Sequence, residues 1–107
     1  MNPNLPAPVL RHFNQLTPAE AERLALLAEE CGEVIQIVGK ILRHGLESFH
    51  PSDPQTTNAQ LLAAELAHVS IATSLLVDAG DVSEGEFLDA QDAKRRRIGK
   101  FLHHQPA

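Results

Sequence analysis

One stretch constrains the fold of this chain more than any other. Residues 24–44, LALLAEECGEVIQIVGKILRH, contain no proline and repeat apolar residues at helical spacing. At about 100° per residue, a broad apolar stripe gathers on one face of the predicted helix. It consists of Leu24, Leu27, Ala28, Cys31, Val34, Ile35, Val38 and Leu42, and we expect it to form the core. A narrower stripe contains Leu26, Ile37 and Ile41. A helix that is apolar on two faces is expected to pack against its own chain and against a second copy.

Two carboxylates, Glu30 and Glu33, lie one turn apart within the narrower stripe. Removing carboxylates from water costs free energy unless a positive charge meets them. The Glu-x-x-Glu spacing directs two oxygen ligands toward one point, which suits a divalent cation. The alternative is a solvated helix face, because glutamate is a good helix former and acidic patches on helices are common.

The helix boundaries follow from capping signals and prolines. Thr17-Pro18-Ala19-Glu20 is a capping box with proline at the first helical position, and Gly45 ends the helix in a left-handed cap. The predicted helices span residues 18–44, 58–79 and 84–102, the last opened by a capping box at Ser83. Residues 1–16 are expected to be extended, and the proline-containing loop 46–57 is either an ordered lid or a flexible connector. The prediction is one all-α domain over residues 1–107, completed by oligomerisation.

Charged residues also occupy core positions of the second and third predicted helices. Glu65 lies in the middle of an apolar stripe formed by Leu61, Leu62, Val69, Ala72 and Leu76, and His68 lies at its edge. Lys94 lies at the centre of a stripe formed by Phe87, Ala90, Ile98 and Phe101, with Arg97 beside it. A Glu–Lys salt bridge could explain one such pair. Three glutamates, at positions 30, 33 and 65, face the single Lys94, so negative charge would remain after one such pair forms. This remaining charge again favours a bound cation.

Composition narrows the function classes. The formal charge of −5 argues against a general nucleic-acid binder, although the basic residues clustered over 94–100 could bind a small polyanion. The single cysteine, Cys31, is expected to be buried as a small hydrophobe and fits a reducing compartment. No uninterrupted apolar run approaches the length of a membrane span, and no signal-peptide pattern is present. The expectation is a cytoplasmic protein with no membrane association and no stable nucleic-acid complex.

The strings LAEECGEVIQIVGKILRHG and ELAHV resemble the Glu-x-x-Glu … Glu-x-x-Asp signature of all-α nucleoside triphosphate pyrophosphohydrolases. The resemblance is closest to short MazG-like proteins, relatives of the dimeric dUTPases, and covers roughly residues 24–100. It implies a MazG-like helical bundle, working as a homodimer or homotetramer, that hydrolyses a nucleoside triphosphate to the monophosphate and pyrophosphate with Mg²⁺, or with Mn²⁺. It also implies roles for individual residues. Glu30, Glu33, Glu65 and His68 would hold the metal, Glu30 and Glu33 would be catalytic, and Lys40, Arg43, Lys94 and Arg97 would bind the substrate phosphates.

The chain departs from this signature at His68, which stands where the resembled family has aspartate. Imidazole suits Mn²⁺ or Zn²⁺ better than the hard Mg²⁺ ion. The substitution is compatible with an altered metal preference, with the loss of one of two metals, or with lost catalysis. Two alternatives therefore remain beside the enzyme: an inactive nucleotide- or metal-binding helical oligomer, and a structural bundle whose charges pair internally. The base and sugar of the substrate cannot be read from the sequence.

Overall fold

The computed structural model describes residues 13–106, which form three α-helices and no strand. Helix α1 spans Pro18–His44, α2 spans Asn58–Asp78 and α3 spans Glu84–Arg97, followed by a 3-10 turn over Ile98–Phe101. The predicted all-α fold is confirmed, with two boundaries shifted. Helix α2 ends one residue before the predicted Ala79, and the predicted end of the third helix tightens into the 3-10 turn.

Side-chain caps begin all three helices. The Thr17 hydroxyl accepts from the Glu20 N–H, and the Glu20 carboxylate accepts from the Thr17 N–H, as the predicted capping box requires. Thr57 and Gln60 form the same reciprocal pair at the start of α2. At α3 the structure shows one half of the predicted box, in which Ser83 accepts from the Glu86 N–H. Gly45 ends α1 with φ 92° and ψ 167°, so its φ is positive as predicted but its ψ lies outside the left-handed helical region.

Helices α1 and α2 pack against each other as an antiparallel hairpin, which contains most of the buried apolar surface. Ile37 of α1 and Ala72 and Leu76 of α2 are its buried apolar residues. The predicted α2 stripe faces α1, with Leu61, Leu62 and Val69 half-buried beside them. On α1, however, the face toward α2 is the narrower predicted stripe, which carries the glutamates, together with Leu27 and Val34 from the edge of the broad one.

The broad α1 stripe is therefore not the core of a single chain, and that prediction was wrong. Only Leu27 and Val34 of its eight residues are half-buried, while Ile35 is 74% and Leu42 82% exposed. Cys31, predicted to be buried, is exposed on the same stripe. The reason is that the hairpin buries the face where Glu30 and Glu33 meet α2, which leaves the more apolar face outward.

Helix α3 does not fold back onto the hairpin with its basic residues inward. Lys94, predicted at the centre of an inward stripe, is exposed, and its ammonium nitrogen lies 5.8 Å from the centre of the Phe101 ring. Phe101 itself is 68% exposed and Ile98 38%, whereas Phe87 is half-buried. An open groove of about 560 Å³ separates α3 from α2 and is lined by Leu66, Val69 and Phe87. The predicted inward position of Lys94 was wrong because α3 contacts mainly the turn that follows it.

The loop between α1 and α2 is ordered and folds back on the start of α2. The buried Asn58 side chain donates to the Gly45 carbonyl at 3.2 Å, and the Asn58 N–H donates to the Ser48 carbonyl at 2.8 Å. An isolated antiparallel bridge joins Phe49 to Thr57. Of the two alternatives left open for residues 46–57, the structure favours the ordered one.

Most of the predicted extended segment, residues 1–12, lies outside the described residues. Its remaining part, residues 13–16, contains a turn at Phe13 and Asn14, in which the Leu16 N–H donates to the Asn14 side chain. Within the described chain, α2 is long and apolar enough to cross a membrane by length and composition alone. The sequence analysis considered only uninterrupted apolar runs and did not identify α2 as such a helix, because α2 carries Glu65 and His68 among its apolar residues.

Candidate metal centre

Four side chains from the two packed helices converge at one point of the hairpin. Glu30 and Glu33 lie one turn apart on α1, and Glu65 and His68 lie one turn apart on α2. Each offers one ligand atom, and these four atoms all lie within 4.8 Å of one another. The structure thus brings together all four residues predicted as metal ligands, and we call them the acidic cluster.

Burial is uneven across the cluster. The side chains of Glu30 and Glu65 are 15% and 18% exposed, whereas that of His68 is 54% exposed. His68 Nδ1 lies 3.3 Å from Glu30 Oε2 and 3.4 Å from Glu65 Oε2, beyond the usual N–H···O range. Both carboxylate oxygens are buried without a hydrogen-bond partner. Buried polar atoms of this kind normally have a partner, so these two oxygens are candidate cation ligands.

The three carboxylates disfavour one another's charge. The pKa of Glu65 is raised, first because burial penalises its charged form, then because its protonated form can donate a hydrogen bond to Glu33 or Glu30, and also because their negative charges repel its own. Carboxyl groups that are partly buried beside other carboxylates, and whose pKa is raised for that reason, often occur at functional sites. A divalent cation would reverse this effect, because it stabilises the ionised form of every oxygen that it contacts.

The donor set fits a divalent cation. Three carboxylates supply the oxygen ligands that Mg²⁺ and Mn²⁺ accept, and the Oε2 atoms of Glu30 and Glu65 have no hydrogen-bond partner among the described residues. His68 adds a nitrogen donor at the exposed edge, which suits Mn²⁺ better than Mg²⁺. The four side chains could therefore hold a cation between the helices.

Two of the predicted phosphate-binding residues, Lys40 and Arg43, lie together at the end of α1. They line a cavity of about 290 Å³ whose other wall is the 46–57 loop, including Phe49 and His50. Lys40 is seven residues after Glu33, which places it on the same face of α1, about 10 Å further along the axis. Neither Phe49 nor His50 was predicted in the site, because loop folding, which sequence spacing does not reveal, brings them to α1.

The other two predicted phosphate-binding residues, Lys94 and Arg97, lie on α3. Within residues 13–106, no ion pair joins either of them to the acidic cluster. Their assignment to the substrate therefore stays a prediction, as does that of Lys40 and Arg43, which share α1 with Glu30 and Glu33.

An ion pair that the sequence reading missed holds the hairpin at its other end. Arg23 of α1 binds Asp81, in the turn after α2, through two contacts of 2.6 and 3.0 Å. Hydrogen bonding to this guanidinium lowers the pKa of Asp81. The partners are 58 positions apart, and neither lies in a motif that predicts their contact.

Comparison of this chain with models of known families, with curated proteins and with solved structures finds no match in any of the three.

Proposed function

We propose that the protein is a metal-dependent nucleoside triphosphate pyrophosphohydrolase of the MazG-like kind, which cleaves its substrate to the monophosphate and pyrophosphate. The observation that carries the proposal is the convergence of Glu30, Glu33, Glu65 and His68, with two buried carboxylate oxygens that have no partner. The resemblance of LAEECGEVIQIVGKILRHG and ELAHV to the Glu-x-x-Glu … Glu-x-x-Asp signature adds the reaction class. A cytoplasmic location and a homo-oligomeric state are part of the same proposal.

In this proposal the acidic cluster holds Mg²⁺ or Mn²⁺. Such a cation polarises phosphoryl oxygens and lowers the pKa of bound water. Glu30 and Glu65 supply the buried ligand oxygens, and Glu33 completes the set from the next turn of α1. A carboxylate of the cluster that does not ligate the cation would accept the proton of the attacking water.

The cavity at the end of α1 supports a nucleotide as the ligand. Lys40 and Arg43 supply positive charge on the same side of α1 as Glu33, so phosphates placed at the cluster extend toward them. Phe49 offers an aromatic face and His50 a polar edge in the same cavity, and these are the groups that a base would contact.

The test is pyrophosphate release from each natural ribo- and deoxyribonucleoside triphosphate, with Mg²⁺ and Mn²⁺ supplied separately. The wild-type protein should release pyrophosphate, and Glu65→Gln should reduce kcat at least 100-fold, because a buried ligand and its charge are lost. Glu29→Gln is the matched control, since Glu29 lies next to Glu30 on α1 but is exposed outside the cluster. No release from any substrate, or equal loss in the two variants, would contradict the proposal.

A second candidate function is a non-hydrolytic metal- and nucleotide-binding oligomer. It is favoured by His68, whose nitrogen stands beside the two unpartnered oxygens where an aspartate would complete the resembled signature. His68→Asp separates the two candidates. In a hydrolase it should raise activity with Mg²⁺ relative to Mn²⁺, because it restores a hard oxygen ligand. In the binding protein it should strengthen Mg²⁺ binding without any pyrophosphate release.

A further inference from the structure

We propose that the outward apolar face of α1 is the interface through which two copies of this chain pair, with their α1 helices antiparallel. This face, the outer seam, consists of Leu24, Ala28, Cys31, Ile35, Val38 and Leu42. Its spacings alternate between four and three residues, the pattern of a helix that packs along its length against another helix. All six residues are exposed in the single chain, including Ile35 at 74% and Leu42 at 82%.

The outer seam is a second helix-packing surface beside the one already in use. The α2-facing side of α1 follows the same spacing, one residue earlier at each step, through Arg23, Leu27, Glu30, Val34, Ile37 and Ile41. One residue corresponds to roughly 100° around the helix. A helix in a four-helix bundle contacts two neighbours at about this angle. In this chain α2 is one neighbour, and the outer seam is the surface for the other.

Small residues beside the outer seam point to close approach of a helix. Ala25, Gly32 and Gly39 follow one another at intervals of seven residues along one edge of the seam. Glycine destabilises the middle of a helix relative to alanine, so its presence calls for a local reason. A Cβ placed on Gly32 would have no atom of this chain within 4 Å, so packing within the chain does not supply one. A partner backbone that passes close to this edge supplies the reason for a glycine at position 32.

The exposed area is large enough for a stable dimer. A monomeric protein of 11.7 kDa exposes about 5,900 Å², whereas this chain exposes 8748 Å². Granting full exposure to the 13 residues outside 13–106, at about 160 Å² each, still leaves an excess of about 800 Å². A standard specific interface buries about 800 Å² per partner. The surplus therefore matches the contribution of one chain to such an interface.

Charge selects the antiparallel pairing over the parallel one. The first part of α1, residues 18–33, carries five glutamates and one arginine, Arg23, whereas its last part carries Lys40 and Arg43 and no acidic residue. Parallel pairing would place the acidic parts side by side, and antiparallel pairing sets each against a basic end. If the two outer seams overlap along their whole length, the two-fold axis crosses the helices at the level of residue 33. Cys31 then lies opposite Ile35 of the partner subunit.

This interface does not depend on the proposed enzyme activity. Cys31 and Ile35 each lie two residues from Glu33, which is about 200° around the helix, so the outer seam faces away from that member of the acidic cluster. Loss of pairing and loss of metal binding are therefore separable outcomes.

Sedimentation equilibrium of the full chain tests the pairing. The wild-type protein should sediment as a dimer or as a dimer of dimers, and Ile35→Glu should raise the dimer dissociation constant at least 100-fold, because two unpaired carboxylates would be buried. Gln36→Glu is the matched control, since it adds the same charge one residue away, outside the seam. Circular dichroism confirms that each variant keeps its helices. A monomeric wild-type protein, or a dimer that withstands Ile35→Glu, would overturn the proposal.

Cysteine crosslinking tests the direction and register. Under mild oxidation Ile35→Cys should form covalent dimers, because Cys31 of one copy lies opposite the introduced thiol of the other. The double variant Cys31→Ser, Ile35→Cys should not form them. In the proposed register position 35 of one copy lies opposite position 31 of the other. The two cysteines introduced at position 35 are therefore four residues apart along the helix axis, which is too far for a disulfide. Efficient disulfide dimerisation of the wild-type protein through Cys31 alone would overturn the antiparallel arrangement.

Discussion

Glu65 lies between two packed helices and beside two other carboxylates, so its negative charge is disfavoured both by burial and by its neighbours. A group in this position must be neutralised by a proton or by a cation. Without a cation, burial and the neighbouring carboxylates raise the pKa of Glu65 and so favour its protonated form. The two buried oxygens without hydrogen-bond partners mark where a cation would take the place of the proton.

The raised pKa of Glu65 predicts how stability depends on pH without metal. The folded state binds this proton more tightly than the unfolded state, so stability falls as pH rises from the ordinary carboxyl range through the raised pKa of Glu65. The Asp81 carboxylate, whose pKa is lowered, acts oppositely and in a more acidic window, because its contribution is lost as pH falls. Thermal denaturation in chelator should therefore show Tm decreasing on the alkaline side of that range.

Two comparisons identify Glu65 as the source of this effect. Glu65→Gln should remove the alkaline-side decrease in Tm, whereas the exposed control Glu29→Gln should keep it. Saturating Mn²⁺ should abolish the decrease in the wild-type protein, because a ligand that binds only the folded state stabilises it and favours ionised Glu65. The same decrease in Glu65→Gln and in the wild-type protein would assign it to another group.

Residue spacing predicted the two halves of the acidic cluster, and the resemblance of the two strings to a known signature joined them into one metal site. Glu-x-x-Glu and Glu-x-x-His each place two side chains one turn apart, and a helix fixes that geometry before any tertiary contact forms. The Arg23–Asp81 pair and the Phe49 and His50 wall could not be predicted in this way. Their positions depend on how a turn and a loop fold, and local periodicity carries no information about either.

Among the elements, α1 accounts for both the success and the failure of the sequence-based prediction. Its boundaries follow from the Thr17 cap and from Gly45, so they were predictable. It was not predictable which of its two apolar faces meets α2. Hydrophobicity ranks the faces by their apolar content, whereas the face that packs on α2 is the one that carries Glu30 and Glu33. The more apolar face, with Ile35 and Leu42, is the exposed one.

The placement of basic residues on two different elements predicts different roles for them. Lys40 and Arg43 share a face and a cavity with the approach to the cluster, so Lys40→Ala with Arg43→Ala should raise KM for the triphosphate about 10- to 100-fold. Lys94→Ala with Arg97→Ala removes the same charge from α3 and serves as the comparison. Steady-state kinetics at fixed Mn²⁺ measures both. A larger KM effect from the α3 pair would show that α3 reaches the substrate in the assembled protein.

At the scale of the whole molecule, the chain has two parts with different packing. The hairpin of α1 and α2 contains the buried core, while α3 extends beyond it across an open groove. The radius of gyration is 19.9 Å, against about 13 Å expected for a compact chain of this length. The exposed outer seam and the extended shape are both explained if the folded unit is larger than one chain.

This organisation predicts that assembly and metal binding respond to different substitutions. In Ile35→Glu, which should be monomeric, Mn²⁺ affinity measured by calorimetry should stay within about threefold of the wild-type value, because the outer seam faces away from Glu33. In Glu65→Gln the affinity should fall at least about 30-fold while the sedimenting mass is unchanged, because a buried ligand is lost and the seam is intact. Gln36→Glu should change neither quantity substantially, since Gln36 lies outside both surfaces. If Mn²⁺ affinity instead falls with the loss of the dimer, the four ligands keep their geometry only when a second copy holds α1 in place.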